Sequence, residues 1–270
     1  MAIPASSLGE SNNGIERHVL ERSLEDFDNR SEFRLICLVK KYRNKNWEWI
    51  GLSANPNITI EDIEGDLSQN DPLLWDWRGI SINPNITPGF IEDHLDERWK
   101  WDWEGISLNP NVTTEFIEAH LDDKLFKWNW RAISLNPNIT PEFIEAHLNE
   151  NREWDWRAIS RHPNITPEFI EDNLDNDLWK WRWNWISWNP NVTPEFIEAH
   201  LDENRMWDWR GISSNPNITP EFIEAHLDEN RKWNWYEISS NTNITPEFIE
   251  AHLDDERWKW NWSGILGFLI

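Results

Sequence analysis

The tripeptide Asn-Pro-Asn returns along this chain at a near-constant interval. Its proline falls at 56, 84, 110, 137, 163, 190 and 216, His162 replaces the first Asn once, and an eighth copy carries Thr242 in place of Pro. Successive copies are 26 to 28 residues apart. A Trp-x-Trp pair precedes each copy, and a ninth pair, Trp260 and Trp262, opens a unit that the sequence does not complete. Periods of this length belong to stacked-repeat folds, where one unit cannot bury its own apolar face and its neighbours complete the core.

Each unit holds two helix starts with one grammar. In Ile139-Thr140-Pro141-Glu142-Phe143-Ile144, Thr140 is an N-cap, Pro141 suits the first helical position and Glu142 complements the helix dipole. Ile139 and Ile144 occupy the positions of a hydrophobic staple. The other start is Trp154-Asp155-Trp156, with Asp155 as cap. Seven of the nine pairs enclose Asp or Asn, at 76, 102, 129, 155, 208, 234 and 261, whereas Glu48 and Arg182 depart from the pattern. After Asp155 the chain reaches Pro163 within eight residues, which leaves room for one or two turns that 3₁₀ geometry would also satisfy. The second helix carries Phe143, Ile144, His147 and Leu148 on one face, with Glu142 and Glu145 pointing away. Neither helix is long enough to stand alone in water.

Composition supports folding in spite of charge. The net charge is −24, from 49 acidic and 25 basic side chains. Residues 1–46 contribute +1, so the repeats carry all of the acidity, −25 over 47–270. Such acidity in a chain poor in apolar residues would signal disorder. Here 23 Trp and 11 Phe each offer roughly 150–250 Å² for burial. The acidic balance disfavours nucleic acid and anionic membrane, which need Lys and Arg at phosphates. One cysteine, Cys37, rules out a disulfide framework or a multi-thiolate metal site. Met1 to Gly14 lacks a secretory pattern and no apolar run approaches the length of a membrane span. A cytoplasmic protein is expected, in host cytoplasm or virion if the source is viral.

The stretch from Arg210 to Glu229, RGISSNPNITPEFIEAHLDE, resembles the leucine-rich repeat variant. That family is a superhelix of alternating α- and 3₁₀-helices, with an Asn-Pro or Asp-Pro turn, then Thr-Pro, then a short apolar helix. The likeness spans roughly residues 47–262. Two departures stand out: Trp-x-Trp replaces the family's aliphatic residues, and the iron–sulfur-binding cysteines of some members have no counterpart beside Cys37. The unit is also similar to Trp-rich, NPNIT-type tandem repeats encoded by large DNA viruses of protists, which implies an origin rather than an activity. A competing fold is the ordinary leucine-rich repeat with Trp-x-Trp as its strand, although its Asn stands three residues after the second apolar position and here the gap from Trp209 to Asn215 is six.

The expected architecture is an all-α, right-handed α-solenoid of eight repeats over 47–262. A flexible segment at 1–14 and a helical cap at 15–46 precede it, the cap formed by GIERHVLERSLEDF and SEFRLICLVKKYR. The apolar tail 263–270 closes the truncated ninth repeat, or joins another molecule through residues 264–270. Lys40, Lys41, Arg43 and Lys45 are either a basic patch or the favourable cationic end of the cap helix.

Candidate chemistry is sparse. His94, His120, His147, His200, His226 and His252 form a column, with Asp66 and Asn173 at the two remaining positions. Helices pack about 8–10 Å apart while zinc ligands lie about 2 Å from the metal, so no metal is expected, and no other cofactor. The column is either structural or pH-sensing. Eight Asn-Ile-Thr or Asn-Val-Thr triplets are formal glycosylation acceptors, but their Thr already serves as a cap. Eighteen Trp form the nine pairs, as staple and core, and five lie outside them. Those five, Trp99, Trp179, Trp185, Trp188 and Trp258, are where a Trp-dependent function is to be sought, and Trp188 is the one expected at the surface. Catalysis requires one asymmetric constellation, and every Ser, His and carboxylate of note is repeated. The expected function is a non-enzymatic scaffold that offers an acidic surface to a basic protein partner. The alternative is a Trp-lined carbohydrate-binding or virion-surface protein.

Overall fold

In a computed structural model of the chain, residues 34–96, 98–148, 150–201, 205–227 and 231–267 are described. The first cap segment and residues 1–14 lie outside them, as do residues 268–270 of the tail. Among the described residues the chain is all-helical, with eighteen short helices and no strand. That removes the ordinary leucine-rich repeat, which needs a strand at every Trp-x-Trp.

The chain forms two compact units, divided between Thr87 and Pro88. In the first, the cap helix Leu35–Lys41 is followed by Trp49–Ser53, Ile60–Leu67 and Trp77–Ile82. Arg34 pairs with Asp62 at 2.6 Å, Lys40 with Asp66 at 3.2 Å and Arg43 with Asp71 at 2.9 Å. The cations at 40 and 43 are thus ties between cap and first repeat. The second unit alternates first helices that begin at Trp103, Trp130, Trp156, Trp183, Trp209, Trp235 and Trp262 with second helices that begin at Pro88, Thr114, Pro141, Pro167, Pro194, Pro220 and Pro246. Trp103–Leu108 lies against Trp130–Ile133, Trp156–Ser160 against Trp183–Ile186, and Trp235–Ser239 against both Trp209–Ser214 and Trp262–Gly267. Trp262–Gly267 is the first helix of the ninth repeat, started by Asn261, whose Oδ1 accepts the Gly264 N–H at 3.0 Å.

The expected caps are present. Asp76, Asp102, Asn129, Asp155, Asp208 and Asn234 accept a backbone N–H at the start of their helices, and Glu48 does so despite its longer side chain. Arg182 makes no such bond. The first helices are α rather than 3₁₀: Ile80 N–H reaches Asp76 O at 2.9 Å, and only the closing turn, Asn83 to Ile80, is tightened. The strong cap supplies the first i→i−4 bond, so even a helix of four to six residues adopts α geometry.

The core is aliphatic, which corrects the expectation that tryptophan fills it. Ile80, Ile106, Ile133, Ile159, Ile186 and Ile212 of the first helices are fully buried, as are Ile63, Ile91, Ile144, Ile170, Ile197 and Ile223 of the second. The residue before each capping Thr, such as Ile58, Ile86, Val112 or Val192, is buried with them. Most paired Trp are half-buried instead. The first Trp of a pair lies over the end of the preceding second helix, where Trp101 Nε1 donates to His94 O at 2.8 Å and Trp207 Nε1 to His200 O at 3.0 Å. The second meets the next unit edge-on, as Trp209 meets Trp233 at 4.8 Å and 74°.

Polar ladders run inside the aliphatic core. Asn189, with no exposed surface, donates from Nδ2 to Ser160 O, His162 O and Ile165 O at 3.3, 3.1 and 3.0 Å, all in the preceding unit. Its Oδ1 accepts the Asn191 N–H at 2.9 Å, and Asn191 Nδ2 in turn donates to Ile165 O at 3.1 Å. The same bonds recur at Asn83 and Asn85, and at Asn136 and Asn138. A second ladder uses the buried serines. Ser187 Oγ donates to Trp183 O at 3.0 Å and accepts the Asp208 N–H of the next repeat at 2.9 Å. Stacking in each unit is therefore set by directional bonds as well as by burial.

Candidate functional site

Two surfaces in the unit from Pro88 onward differ in chemistry from the ladders. The first follows the second helices. Seven of them, Pro88–Asp93 to Pro246–Ala251, carry fifteen carboxylates and no Lys or Arg. Glu118, Glu142, Glu145, Glu168, Glu195, Glu221 and Glu224 are exposed. At Glu115, Glu195 and Glu247 the helix's own N-terminal N–H, and then the capping Thr hydroxyl, hold the carboxyl below the usual range. These three carboxylates keep their charge further into acidic solution than a free glutamate does.

The histidine column lies at the ends of these helices. His94, His120, His226 and His252 place Nδ1 2.8–2.9 Å from the Phe carbonyl four residues earlier. Asn173 reproduces the bond with Nδ2 at 3.0 Å, so the hydrogen is on Nδ1 in the histidines. Nε2 faces the preceding helix: His120 lies 3.1 Å from Glu92 and His200 lies 3.2 Å from Glu171. His147 lies 3.9 Å from Glu118 through Nε2 and 3.3 Å from Glu150 through Nδ1, neither with hydrogen-bond geometry. The rings of His120, His147 and His200 thus each face a carboxylate of the preceding repeat, and among the described residues no three His, Cys, Asp or Glu side chains converge as a metal site would need. The one described histidine outside the column, His162, belongs to the asparagine ladder. Its Nε2 lies 3.1 Å from Asn136 O and its Nδ1 accepts the Asn164 N–H at 3.2 Å. Burial pushes its pKa down, against the smaller effect of the Asn136 carbonyl.

The five unpaired tryptophans do not form one surface. Trp99, Trp179 and Trp258 are buried, at 6, 5 and 4 % exposure, which corrects the expectation that they are available to a ligand. They stand two residues before a Trp-x-Trp pair and stack on its first ring, Trp179 on Trp181 at 5.0 Å and 9°. Leu73, Phe126, Arg152, Arg205 and Arg231 hold the same position elsewhere. Where it is Arg, the guanidinium lies over the second Trp of the preceding pair, as Arg205 does over Trp183 at 3.9 Å. An indole and a guanidinium are thus alternative fillers of one slot. Trp188 is exposed, donates to Asp208 Oδ2 at 3.0 Å, and lies where a Cβ on Gly211 would come within 2.8 Å of its ring.

The second surface is where the units differ most. Trp185 stands at the position of Ala132, Ala158 and Gly211, and Arg182 stands where other pairs hold their cap. Both line a cleft of about 580 Å³ together with Arg131, Arg157, Trp154 and Trp156. Arg131 approaches Glu153 at 3.5 Å and Arg157 approaches Asp155 at 3.4 Å, both as exposed pairs. Arg182 has no ion pair among the described residues. Repetition in the sequence drew attention to Arg182 and Trp185 as departures. It gave no signal that Arg131 and Arg157, ordinary members of their column, would border the same space.

Among the described residues no helix is long and apolar enough to cross a membrane. Comparison of the chain with protein-family models, with curated proteins and with solved structures finds no match.

Proposed function

We propose that this chain is a non-enzymatic scaffold, a right-handed α-solenoid of eight repeats whose second-helix surface binds a basic protein partner. The observation that carries this reading is the segregation of charge: fifteen carboxylates and no cation on seven successive second helices. Charge spread at random over the repeats would place some of their Lys and Arg there. The cap supplies an internal precedent. The one non-repeat segment described against a second helix meets it with Arg34 and Lys40, paired to Asp62 and Asp66. A row of like charge steers oppositely charged partners and makes their association salt-sensitive. The resemblance to the leucine-rich repeat variant supports the superhelical arrangement.

The test compares two variants of equal charge. In one, Glu195, Glu198, Glu221 and Glu224 become Gln. In the other, Asp122, Asp175, Asp177 and Asp254, between the helices, become Asn. Capture of lysine-rich proteins at low ionic strength should fail with the first variant and persist with the second. Equal loss in both would assign the effect to net charge and refute a specific face.

A further inference from the structure

We infer that the cleft between Trp156–Ser160 and Trp183–Ile186 is a binding site for a small organic phosphate that carries a planar ring, of mononucleotide size. Three guanidiniums, Arg131, Arg157 and Arg182, and three half-buried indoles, Trp154, Trp156 and Trp185, line one space of about 580 Å³. That volume lies within the range of small-ligand sites, roughly 300–1,000 Å³. Planar guanidinium forks match phosphate oxygens in pairs, and indole faces stack on heteroaromatic rings. The one carboxylate among the lining residues, Asp155, already accepts the N–H groups of Arg157 and Ala158 at 2.9 and 3.3 Å. Three guanidiniums set against Asp155, paired with Arg157, and Glu153, paired with Arg131, leave the cleft one charge positive in a protein of net charge −24. Screening over about 8 Å at physiological salt isolates the cleft from more distant carboxylates.

The two departures from the repeat are what build the site. Seven of nine pairs place Asp or Asn at the cap, and Arg182 gives up that bond, leaving a guanidinium with no ion pair among the described residues. Trp185 replaces a residue that is buried Ala or Gly in neighbouring units, and its ring lines the cleft with Arg161 5.1 Å from its centre. Each change forgoes a stabilising consensus residue. Both act on the same space.

The consensus itself provides variants that fold. Arg182→Asn restores a cap and Trp185→Ala restores a small residue, so neither should lower the melting temperature. Isothermal titration of the full chain with AMP, adenosine and inorganic phosphate reads the site. AMP should bind about tenfold or more tightly than either fragment, a contribution expected from each half of a paired site. Arg182→Asn should bring AMP down to adenosine, and Trp185→Ala should bring it down towards phosphate. The inference is overturned if wild-type protein fails to bind AMP at millimolar concentration, if adenosine or phosphate alone binds as well as AMP, or if either variant leaves AMP binding unchanged.

Discussion

Replacement of Asn189 tests whether the asparagine ladder, rather than aliphatic burial alone, holds adjacent units together. Its two Nδ2 hydrogens serve three carbonyls of the preceding unit at 3.0–3.3 Å, and its Oδ1 accepts one N–H at 2.9 Å. Asn189→Ala removes about three net hydrogen bonds at roughly 1 kcal/mol each. A second count agrees. The Asn191 N–H and Ser160 O lose the partner given above, and each buried orphan costs about 1–3 kcal/mol. The expected loss is about 3 kcal/mol, or a drop of about 6–12 °C in Tm for a unit of this size. Asn189→Asp should be worse at neutral pH, because it keeps the Oδ1 acceptor but turns a second oxygen on three carbonyls. Such a carboxylate must be expelled or protonated. Its folded-state pKa is raised, so its deficit relative to wild type should shrink as pH falls towards 4. Asn189→His should fall between Asn and Ala, since His162 fills the equivalent place with one carbonyl and one N–H contact. Urea unfolding followed by circular dichroism gives the ranking. Loss below 1 kcal/mol for Ala, or an Asp variant no worse than Ala at pH 7, would refute the ladder as a main source of cohesion.

Three further perturbations follow from single positions. His162 is held neutral by burial, so its folded pKa lies below the unfolded value. The difference between wild type and His162→Asn should be constant above about pH 6.5 and move against wild type as pH falls below it, read from paired melts across pH. Thr242 stands in the place that Pro fills in seven copies, is exposed, and has no backbone hydrogen bond from its N–H among the described residues. Thr242→Pro should therefore add about 0.4–1 kcal/mol by restricting the unfolded chain, and a lower Tm would count against a shared turn conformation. Gly211→Ala puts a Cβ 2.8 Å from the Trp188 ring; it should cost about 1–3 kcal/mol, with most of that cost absent in a Trp188→Leu background. A double-mutant cycle with no coupling would show that the glycine answers to something else.

Period, helix starts and caps were legible in the sequence because they are local. Thr140 before Pro141 and Asp155 before Trp156 satisfy the helix ends that directly follow them, and no tertiary information is needed. The burial of tryptophan was not legible. Trp179 and Trp188 look alike as insertions into the repeat, but one falls in a slot that Arg and Phe also fill and the other lies on the surface. Spacing from the nearest Trp-x-Trp pair was the available signal, since Trp99, Trp179 and Trp258 all stand two residues before one. The ladders were hidden for a different reason. Asn-Pro-Asn reads as a turn, and nothing in one copy discloses that its amide groups bond to another copy about 26 residues away. The sequon reading fails on the same ground, because the Asn191 and Asn217 amides are already engaged with the preceding unit.

The ladders also bear on why binding is proposed at the two surfaces described. Within a unit, the NPN asparagines, the Ser after each first-helix Ile and the N-cap residues all spend their hydrogen bonds on neighbours. A ligand that recruited them would have to break the stack. What remains outside the ladders is the Glu row of the second helices and the residues flanking each Trp pair. The Glu row is nearly identical from unit to unit, which suits a long partner contacted many times weakly, since exposed ion pairs contribute about 0–1 kcal/mol each. The flanking positions vary, from Lys127 and Arg131 to Met206 and Arg210. Variation at an otherwise fixed spacing gathers three guanidiniums and three indoles around one cleft. The ligands proposed for the periodic face and the aperiodic cleft therefore differ, and charge neutralisation of the row should leave the cleft intact.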